Sequence, residues 1–486
     1  MKILVLNPPF KPRFSRTSRS PAVSKGGCVY YPIWLAYATG VLEKDGHKVK
    51  LIDAPAENKV IEEVLDISRK FKPGLTIIDT STPSIINDIK VASELKNATG
   101  CFVCLVGTHV SALPEWTLKQ SQSIDAVARH EYDYIVRDLA AELEKKRPDL
   151  KKVKGLSYAK DGKIIHNEDM PFIENLDEIP FVSKTYKKHL DIRNYFYPAN
   201  LYPEVTIVSG RGCPYRCTFC VYPQVMNGRA YRTRSIENVV EEVKYIRENF
   251  PEAKEIFFED DTFTANRHRV RAFCEAVLKE GIDFTWSCNA RADVDLETLK
   301  AMKKAGCRLL CVGIESAEQK ILNEIHKGTT VSGIRKFMQD AKKAGLLVHG
   351  CFILGNRGET KETIRKTIEF AKELDPDTAQ FFPIMIYPGT EDYEYYKKAG
   401  FLTTEDYSKW VSESGEHNCV VSRPGLSSEE LVEWCDRGRR EFYMRPKFIA
   451  KTIAKGLMNP NEIPRIAKAG KTFLKYLGKR PKSSEP

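Results

Sequence analysis

Residues 209–224 read SGRGCPYRCTFCVYPQ, with Cys213, Cys217 and Cys220 at a C-x3-C-x2-C spacing. The apolar run EVTIV at 204–208 leads into it, so the thiols fall on a loop at the end of a strand. Gly210 and Gly212 permit a tight wrap, and Pro214 and Pro223 break any helix. A structural zinc site takes four ligands, commonly two C-x2-C pairs. No second pair lies near, and the next cysteine downstream, Cys274, sits in a helical pattern. Iron–sulfur cubes also take thiolates, and three thiolates on a [4Fe–4S] cube leave one iron open. The plain alternative is three buried thiols that merely pack. The Arg, Tyr and Pro content of the loop speaks against a core segment.

Outward from this loop, residues 200–400 alternate apolar runs with helical patterns. EVTIVSG, KEIFFED, DFTWSCN, RLLCVGIES, LVHGCFILG and AQFFPIMIYPG read as strands. Residues 236–249, 267–280, 296–304, 333–344 and 361–374 read as helices. Six such units predict a partial (β/α)6 barrel of the TIM type, with functional residues at the strand C-terminal ends. Residues 1–150 alternate in the same way, through KILVLN, HKVKLID, LTIIDTS, CFVCLVG and DAVAR. They predict a doubly wound, Rossmann-like α/β domain that binds ligands beyond its strand ends. Residues 151–199 read as a linker with a hairpin turning at Asp161-Gly162. Residues 401–486 read as a mostly helical extension with a polar tail.

The chain has 486 residues, long enough for two or three domains, and thirteen cysteines without a disulfide framework. The opening MKILVLNPPF reads as a strand rather than a signal peptide, and no apolar run approaches a membrane span. A reducing, cytoplasmic setting is the expectation. Cys101 and Cys104 form a C-x2-C pair inside a buried-strand pattern, where they point to opposite faces and read as core. The formal net charge is +11, and residues 442–482 hold eleven Lys/Arg against one acid, Glu462. Ile463, Ile466, Ala467, Gly470, Phe473, Leu474 and Leu477 form an apolar stripe there. Arg465, Lys468, Lys475 and Lys479 lie largely off it, and Ile449, Ile453 and Leu457 repeat upstream. Such a basic amphipathic end reads as a peripheral contact with the inner membrane surface, or as helices packed on their own barrel. Sparse aromatic interleaving argues against nucleic acid.

C-x3-C-x2-C after the first strand of a β/α barrel resembles the radical S-adenosylmethionine (SAM) superfamily. The resemblance implies that the open iron chelates SAM. One electron, from a flavodoxin- or ferredoxin-type donor, then cleaves SAM to a 5′-deoxyadenosyl radical. Phe219, inside the last cysteine pair, is aromatic as that family expects. The family's SAM-binding positions fall on Glu259, Asp260 and Asp261 after the second strand and on Asn289 and Arg291 after the third. They continue with Glu315 and Ser316 after the fourth, and with Gly355, Gly358 and Glu359 after the fifth. Between the two glycines the family has Leu-Pro where this chain has Asn356-Arg357. A helix N-cap is the structural alternative for Asp261 and Thr262. Tyr222 and Arg229 are candidate substrate contacts.

A doubly wound domain ahead of such a barrel resembles the cobalamin (B12)-binding branch of this superfamily, which makes cobalamin an expected cofactor. The chain lacks the D-x-H-x-x-G motif that supplies a cobalt ligand in many cobalamin proteins, and ARHEYDY stands where the branch often has Gly-Glu-Gly-Glu. His109 and His130 read as ordinary polar loop residues. FCVYPQ, YRTRS, TWSCNARAD, ARHEYDY and FYMRPKFIAKTI together look most like the hopanoid-biosynthesis-associated radical SAM group. That likeness implies an enzyme that tailors a membrane-associated lipid side chain. The alternatives are a cobalamin-dependent C-methyltransferase, an oxidative cyclase and a non-enzymatic Fe–S or cobalamin sensor.

Overall fold

The computed structural model describes residues 1–458 and 460–477, the side chains of 455, 461, 469 and 472–477 excepted. The strands of the first sheet are β1 (Lys2–Asn7), β2 (Lys48–Asp53), β3 (Leu75–Thr80), β4 (Phe102–Gly107), β5 (Ala126–Ala128), β6 (Leu156–Lys160) and β7 (Lys163–His166). They lie in the order β2-β1-β3-β4-β5-β6-β7, the first five parallel. Helices cover both faces, so every residue of β3 is buried and the strands read as near-continuous apolar runs. The strand order reverses between β1 and β3, where open sheets of this kind bind ligands. Cys101 and Cys104 are both core residues.

The segment 151–199, read as a linker with a hairpin, packs against both units. Its hairpin turns at Asp161 (φ 50°) and Gly162 (φ 72°) and pairs antiparallel onto β5, extending the sheet. β5 has only three residues and would otherwise leave an unpaired edge. The helix Val182–His189 then packs on Ile33–Lys44 and on Ile236–Asn249. Buried Glu242 fastens it, accepting from the Ser183 backbone N and Oγ at 3.1 and 2.8 Å.

The second unit holds β8 (Glu204–Ile207), a two-stranded ribbon of β9 (Gly210–Arg211) and β10 (Arg232–Thr233), then β11 (Glu255–Phe258), β12 (Trp286–Ala290), β13 (Cys307–Glu315), β14 (Leu347–Leu354) and β15 (Thr378–Pro383). β8 and β11 to β15 form a six-stranded parallel sheet in chain order, an open six-unit barrel. Phe258, Phe263, Phe273 and Trp286 form one aromatic cluster of edge-on and tilted pairs in its core.

Beyond Gly400 an irregular stretch precedes the helices. Residues 401–427 form an irregular strap with a single 3-10 turn, Tyr407–Trp410, because Gly415, Pro424 and Gly425 interrupt any helical run. The strap is anchored by buried Trp410, whose indole donates to the Ile386 carbonyl at 2.8 Å. It reaches the first domain where the Val23 N–H donates to the Gly415 carbonyl at 2.7 Å. Helices Ser428–Tyr443, Pro446–Met458 and Ile463–Leu477 follow. Ser427 and Glu430 form a reciprocal capping box at the first of them. Phe473, Leu474, Lys475, Leu477, Lys479 and residues 478–486 lie outside the described side chains. Among the described residues, no helix is long and apolar enough to cross a membrane.

Candidate active site

A cavity of about 590 Å³ opens at the cysteine loop and runs down the inside of the barrel. Cys213 and Cys217 are buried and Cys220 half-buried, and all three line it. Backbone contacts shape the loop. The Gln224 amide donates to the carbonyls of Thr218 and Cys220 at 3.1 and 2.8 Å, and the Cys213 N–H donates to Gly228 O at 3.2 Å. Gly212 is required, since its φ is 84° and a Cβ there would lie 2.2 Å from the Ala230 carbonyl oxygen. Cys213 Sγ approaches Thr262 Oγ1 at 3.5 Å. Three thiols converging on one cavity wall fit a cluster with an open iron. Burial raises the pKa of Cys213 and Cys220, so the thiolate form needs a metal partner.

Arg211, between the two glycines, clamps the loop to the first domain. It reaches Asp133 at 2.7 and 3.2 Å and Glu131 at 2.8 Å, with its guanidinium over Trp34 and Tyr37. All three charged partners are buried, and the Asp133 contact is bidentate.

The carboxylates after β11 separate into distinct tasks. Asp261 lines the cavity and accepts from Gly212 N and Asn227 Nδ2 at 3.2 and 3.1 Å. Asp260 faces the other way, into the core, where it accepts from Ser209 N and Oγ at 2.7 and 2.8 Å. Glu259 is ion-paired with Arg19, which also sits 3.5 Å from Asp261. Neither Glu259 nor Asp260 forms part of the cavity wall. Asn266 caps the helix Arg267–Lys279, and Thr262 stands at the N-cap position of the preceding 3-10 turn, Phe263–Ala265, without a side-chain capping bond.

Asn289, Arg291, Phe219 and Glu315 line the cavity. Arg291 donates to the Lys327 carbonyl at 2.6 Å and stacks its guanidinium 3.6 Å from the Tyr215 ring centroid. Glu315 ends β13 at a φ of 67°, a strained conformation for a non-glycine residue, and pairs with buried Lys327 at 2.7 Å. Gly313 makes room for that pair: a Cβ there would meet Glu315 Oε1 at 2.2 Å and Lys327 Nζ at 2.6 Å.

The remaining positions do not reach the cavity wall. Ser316 is fully buried, 3.4 Å from Thr367 Oγ1. Gly355 and Gly358 form a closed turn in which Glu359 accepts from the Gly355 and Asn356 N–H groups at 2.6 and 2.8 Å. Leu431 of the helix Ser428–Tyr443 packs over Gly355, where a Cβ would clash at 2.9 Å. Burial pushes the Glu359 carboxyl up to about 7. Tyr222 and Arg229 also lie off the cavity, bonded to the carbonyls of Thr17 and Tyr215. Sequence reasoning missed Arg19, Lys327 and a row on β13 and β14. The alternation of Leu309, Cys311 and Gly313 with Leu347, His349 and Cys351 could have revealed that row.

The first domain borders the same cavity through Ser18, Arg19, Ser20, Ser24, Lys25 and Gly26. His109 is buried rather than a loop residue, wedged against Trp116 and Tyr407, and burial holds its imidazole down at about 3. Its Nε2 and the hydroxyl of Tyr132 are buried without a hydrogen-bond partner. His130 Nδ1 donates to the Val225 carbonyl at 2.7 Å, tying this edge to the segment after the cysteine loop. Ser18, Ser20, Ser24 and Lys25 bring polar side chains to the cavity wall, which fits a ligand rimmed by amides, as cobalamin is. Ser18, Arg19, Ser20, Ser24, Lys25 and Gly26 are the first-domain residues that would hold it.

Residues 207–371 match the model of the Radical SAM superfamily, and residues 19–140 match that of the B12 binding domain. The chain is 34% identical to uncharacterized methyltransferase PH0819 of Pyrococcus horikoshii over 93% of its length and 95% of that protein. It is 28% identical to the anaerobic magnesium-protoporphyrin IX monomethyl ester cyclase of Cereibacter sphaeroides, over 85% of this chain and 67% of that one. Similarity to the hopanoid C-3 methylase of Methylococcus capsulatus is 24% over 77% of this chain and 70% of that one. The solved structure of the radical SAM methyltransferase TsrM from Kitasatospora setae, with cobalamin and [4Fe–4S] cluster bound, shares the fold. Its TM-score is 0.70 at 17% identity, covering 92% of this chain and 89% of that one. The cofactors that go with the two domains are a [4Fe–4S] cluster, SAM and cobalamin. The chain is an enzyme, and it belongs to the radical SAM superfamily, in the branch that carries a B12-binding domain.

Proposed function

We propose that this enzyme is a cobalamin-dependent radical SAM C-methyltransferase acting on an apolar, membrane-associated small molecule. One observation carries the reading: the loop of Cys213, Cys217 and Cys220 and the loop of Ser18 to Gly26 border one cavity. Radical methyl transfer needs a hydrogen abstractor and a methyl carrier to reach the same carbon. The cluster with SAM supplies the first and cobalamin the second. The chain's own residues bind and orient: Asp261, Asn289 and Arg291 form the polar wall beside the thiols, and the buried pair Glu315–Lys327 fixes charge at the barrel mouth. The helices Ser428–Tyr443 and Pro446–Met458 add Val432, Cys435, Tyr443 and Phe448 to the cavity wall.

This reading places methyl transfer ahead of the hopanoid side-chain tailoring that the sequence first suggested. The 34% relative bears the name methyltransferase, while the hopanoid likeness rests on a relative at 24% identity. An apolar substrate is supported by the apolar part of the cavity wall, which includes Leu309, Leu347, Ile353, Phe382 and Phe448. It is also supported by exposed Ile449, Ile453, Leu457 and Met458 on the helix Pro446–Met458, which also carries Lys447 and Lys451. A cytoplasmic enzyme docked on the inner membrane surface, fed by a flavodoxin- or ferredoxin-type donor, fits those features.

The test is anaerobic SAM turnover on reconstituted protein, wild type against Cys217→Ala, with and without hopanoid lipid. Cysteine-dependent 5′-deoxyadenosine with matching S-adenosylhomocysteine is the expected result. Deoxyadenosine without S-adenosylhomocysteine would move the reading to tailoring or oxidative cyclisation.

A further inference from the structure

Halfway down the cavity, β13 and β14 present three side chains that the chemistry at the barrel mouth does not use. Cys311, His349 and Cys351 each offer a ligand atom, and these atoms lie within 4.8 Å of one another. The strand register accounts for the cluster. Cys311 and His349 are paired neighbours across β13 and β14, and Cys351 is two residues further along the same face as His349. All three line the cavity. We propose that Cys311, Cys351 and His349 bind a zinc-type divalent ion inside the barrel, with its fourth position open to the cavity for a heteroatom of the substrate.

The ligand set fits a borderline-soft ion that takes thiolate and imidazole together. A tetrahedral zinc site sets its ligand atoms about 3.5 Å apart. Closing from 4.8 Å therefore needs only side-chain rotation on adjacent strands. The outer contacts that orient such ligands are in place. His349 Nδ1 lies 2.7 Å from Thr378 Oγ1, and the Tyr197 hydroxyl lies 3.1 Å from Cys311 Sγ. The contact of His349 Nε2 with Gln380 Oε1 is longer, 3.4 Å, and is the one an incoming ion displaces. Binding would release the two thiol protons to solvent, so affinity rises with pH. Three protein ligands and one open position is the pattern of zinc sites that hold a reactant, whereas structural sites fill all four. A substrate hydroxyl, amine or thiol held there would be anchored below the radical-generating end of the same cavity.

The experiment uses the full chain with its cluster reconstituted under anaerobic conditions, and adds Zn²⁺ alone before desalting. Iron and zinc are then counted, and zinc X-ray absorption reads the ligands. The expected result is about one zinc per chain, with sulfur and nitrogen scatterers at about 2.3 and 2.0 Å and no loss of iron. Cys311→Ser and His349→Gln should each weaken zinc binding at least about tenfold while iron content stays at the wild-type level. Cys274→Ser, a buried thiol outside the cavity, should bind zinc as the wild type does. Zinc held equally by all variants, zinc gained only as iron is lost, or no sulfur in the zinc shell would each overturn the proposal. Because the readout is metal content, failure of the methyl-transfer reading leaves the result interpretable.

Discussion

The five parallel strands of the first sheet and the six of the barrel meet the same topological rule and end differently. At the C-terminal ends of the first sheet the chain supplies many of its own partners. Arg16 and Asp88 form a fully buried pair at 2.5 Å, Asn7 donates to Asp53 at 2.7 Å, and Arg16 also donates to Asn7 Oδ1 and the Pro8 carbonyl at 2.7 Å. At the ends of the barrel strands, three thiols, Asp261, Asn289 and the Glu315–Lys327 pair face a cavity. Polar groups that satisfy one another hold structure, and those left facing space are available for chemistry.

The comparison is sharpest for the largest effect. Arg16→Ala strands a buried carboxylate and should lower unfolding free energy by about 3–5 kcal/mol in denaturant titration. Gly313→Ala drives a methyl into the Glu315–Lys327 pair and should cost about 1–3 kcal/mol. Its SAM cleavage should nevertheless fall to background; activity retained with stability lost would make the pair structural, like Arg16–Asp88.

Glu359 offers a pH test of the turn at Gly355. Its folded carboxyl sits near 7, above the ordinary 4.5, because burial disfavours the charge. The stability it contributes is therefore complete below about pH 4.5 and lost as pH rises through 7. Glu359→Gln should flatten that slope in thermal melts between pH 5 and 8. An unchanged slope would assign the pH dependence elsewhere. The smallest effect is expected at the surface. Ile453→Asp should change stability by less than about 0.5 kcal/mol. It should still weaken sedimentation with anionic phospholipid vesicles, and equal sedimentation would remove the membrane role of that helix.

Much of this was legible in the sequence because period-2 and helical patterns are local. The helices Ile236–Asn249, Leu296–Lys304 and Lys361–Leu374 occur at the residues their patterns predict. The cysteine loop was equally legible, since its glycines and thiols sit within one short segment. What stayed hidden depends on long-range packing. Nothing local says that the 161–162 hairpin pairs with β5, or that residues 401–427 cross to Val23. Asp260 and Asp261 are adjacent, yet one faces Ser209 and the other the cavity, because backbone direction after β11 decides it. The Gly355 turn carries its motif residues, but Leu431 from a later helix covers them.

The central claim is that both domains serve one chamber. Its most direct test is electron paramagnetic resonance of the reduced, cobalamin-loaded protein. Proximity in one cavity predicts faster relaxation and mutual broadening of the cob(II)alamin and cluster signals, with the cobalamin signal reverting to its isolated form in Cys217→Ala. Two independent signals with unaltered relaxation in the wild type would contradict the account.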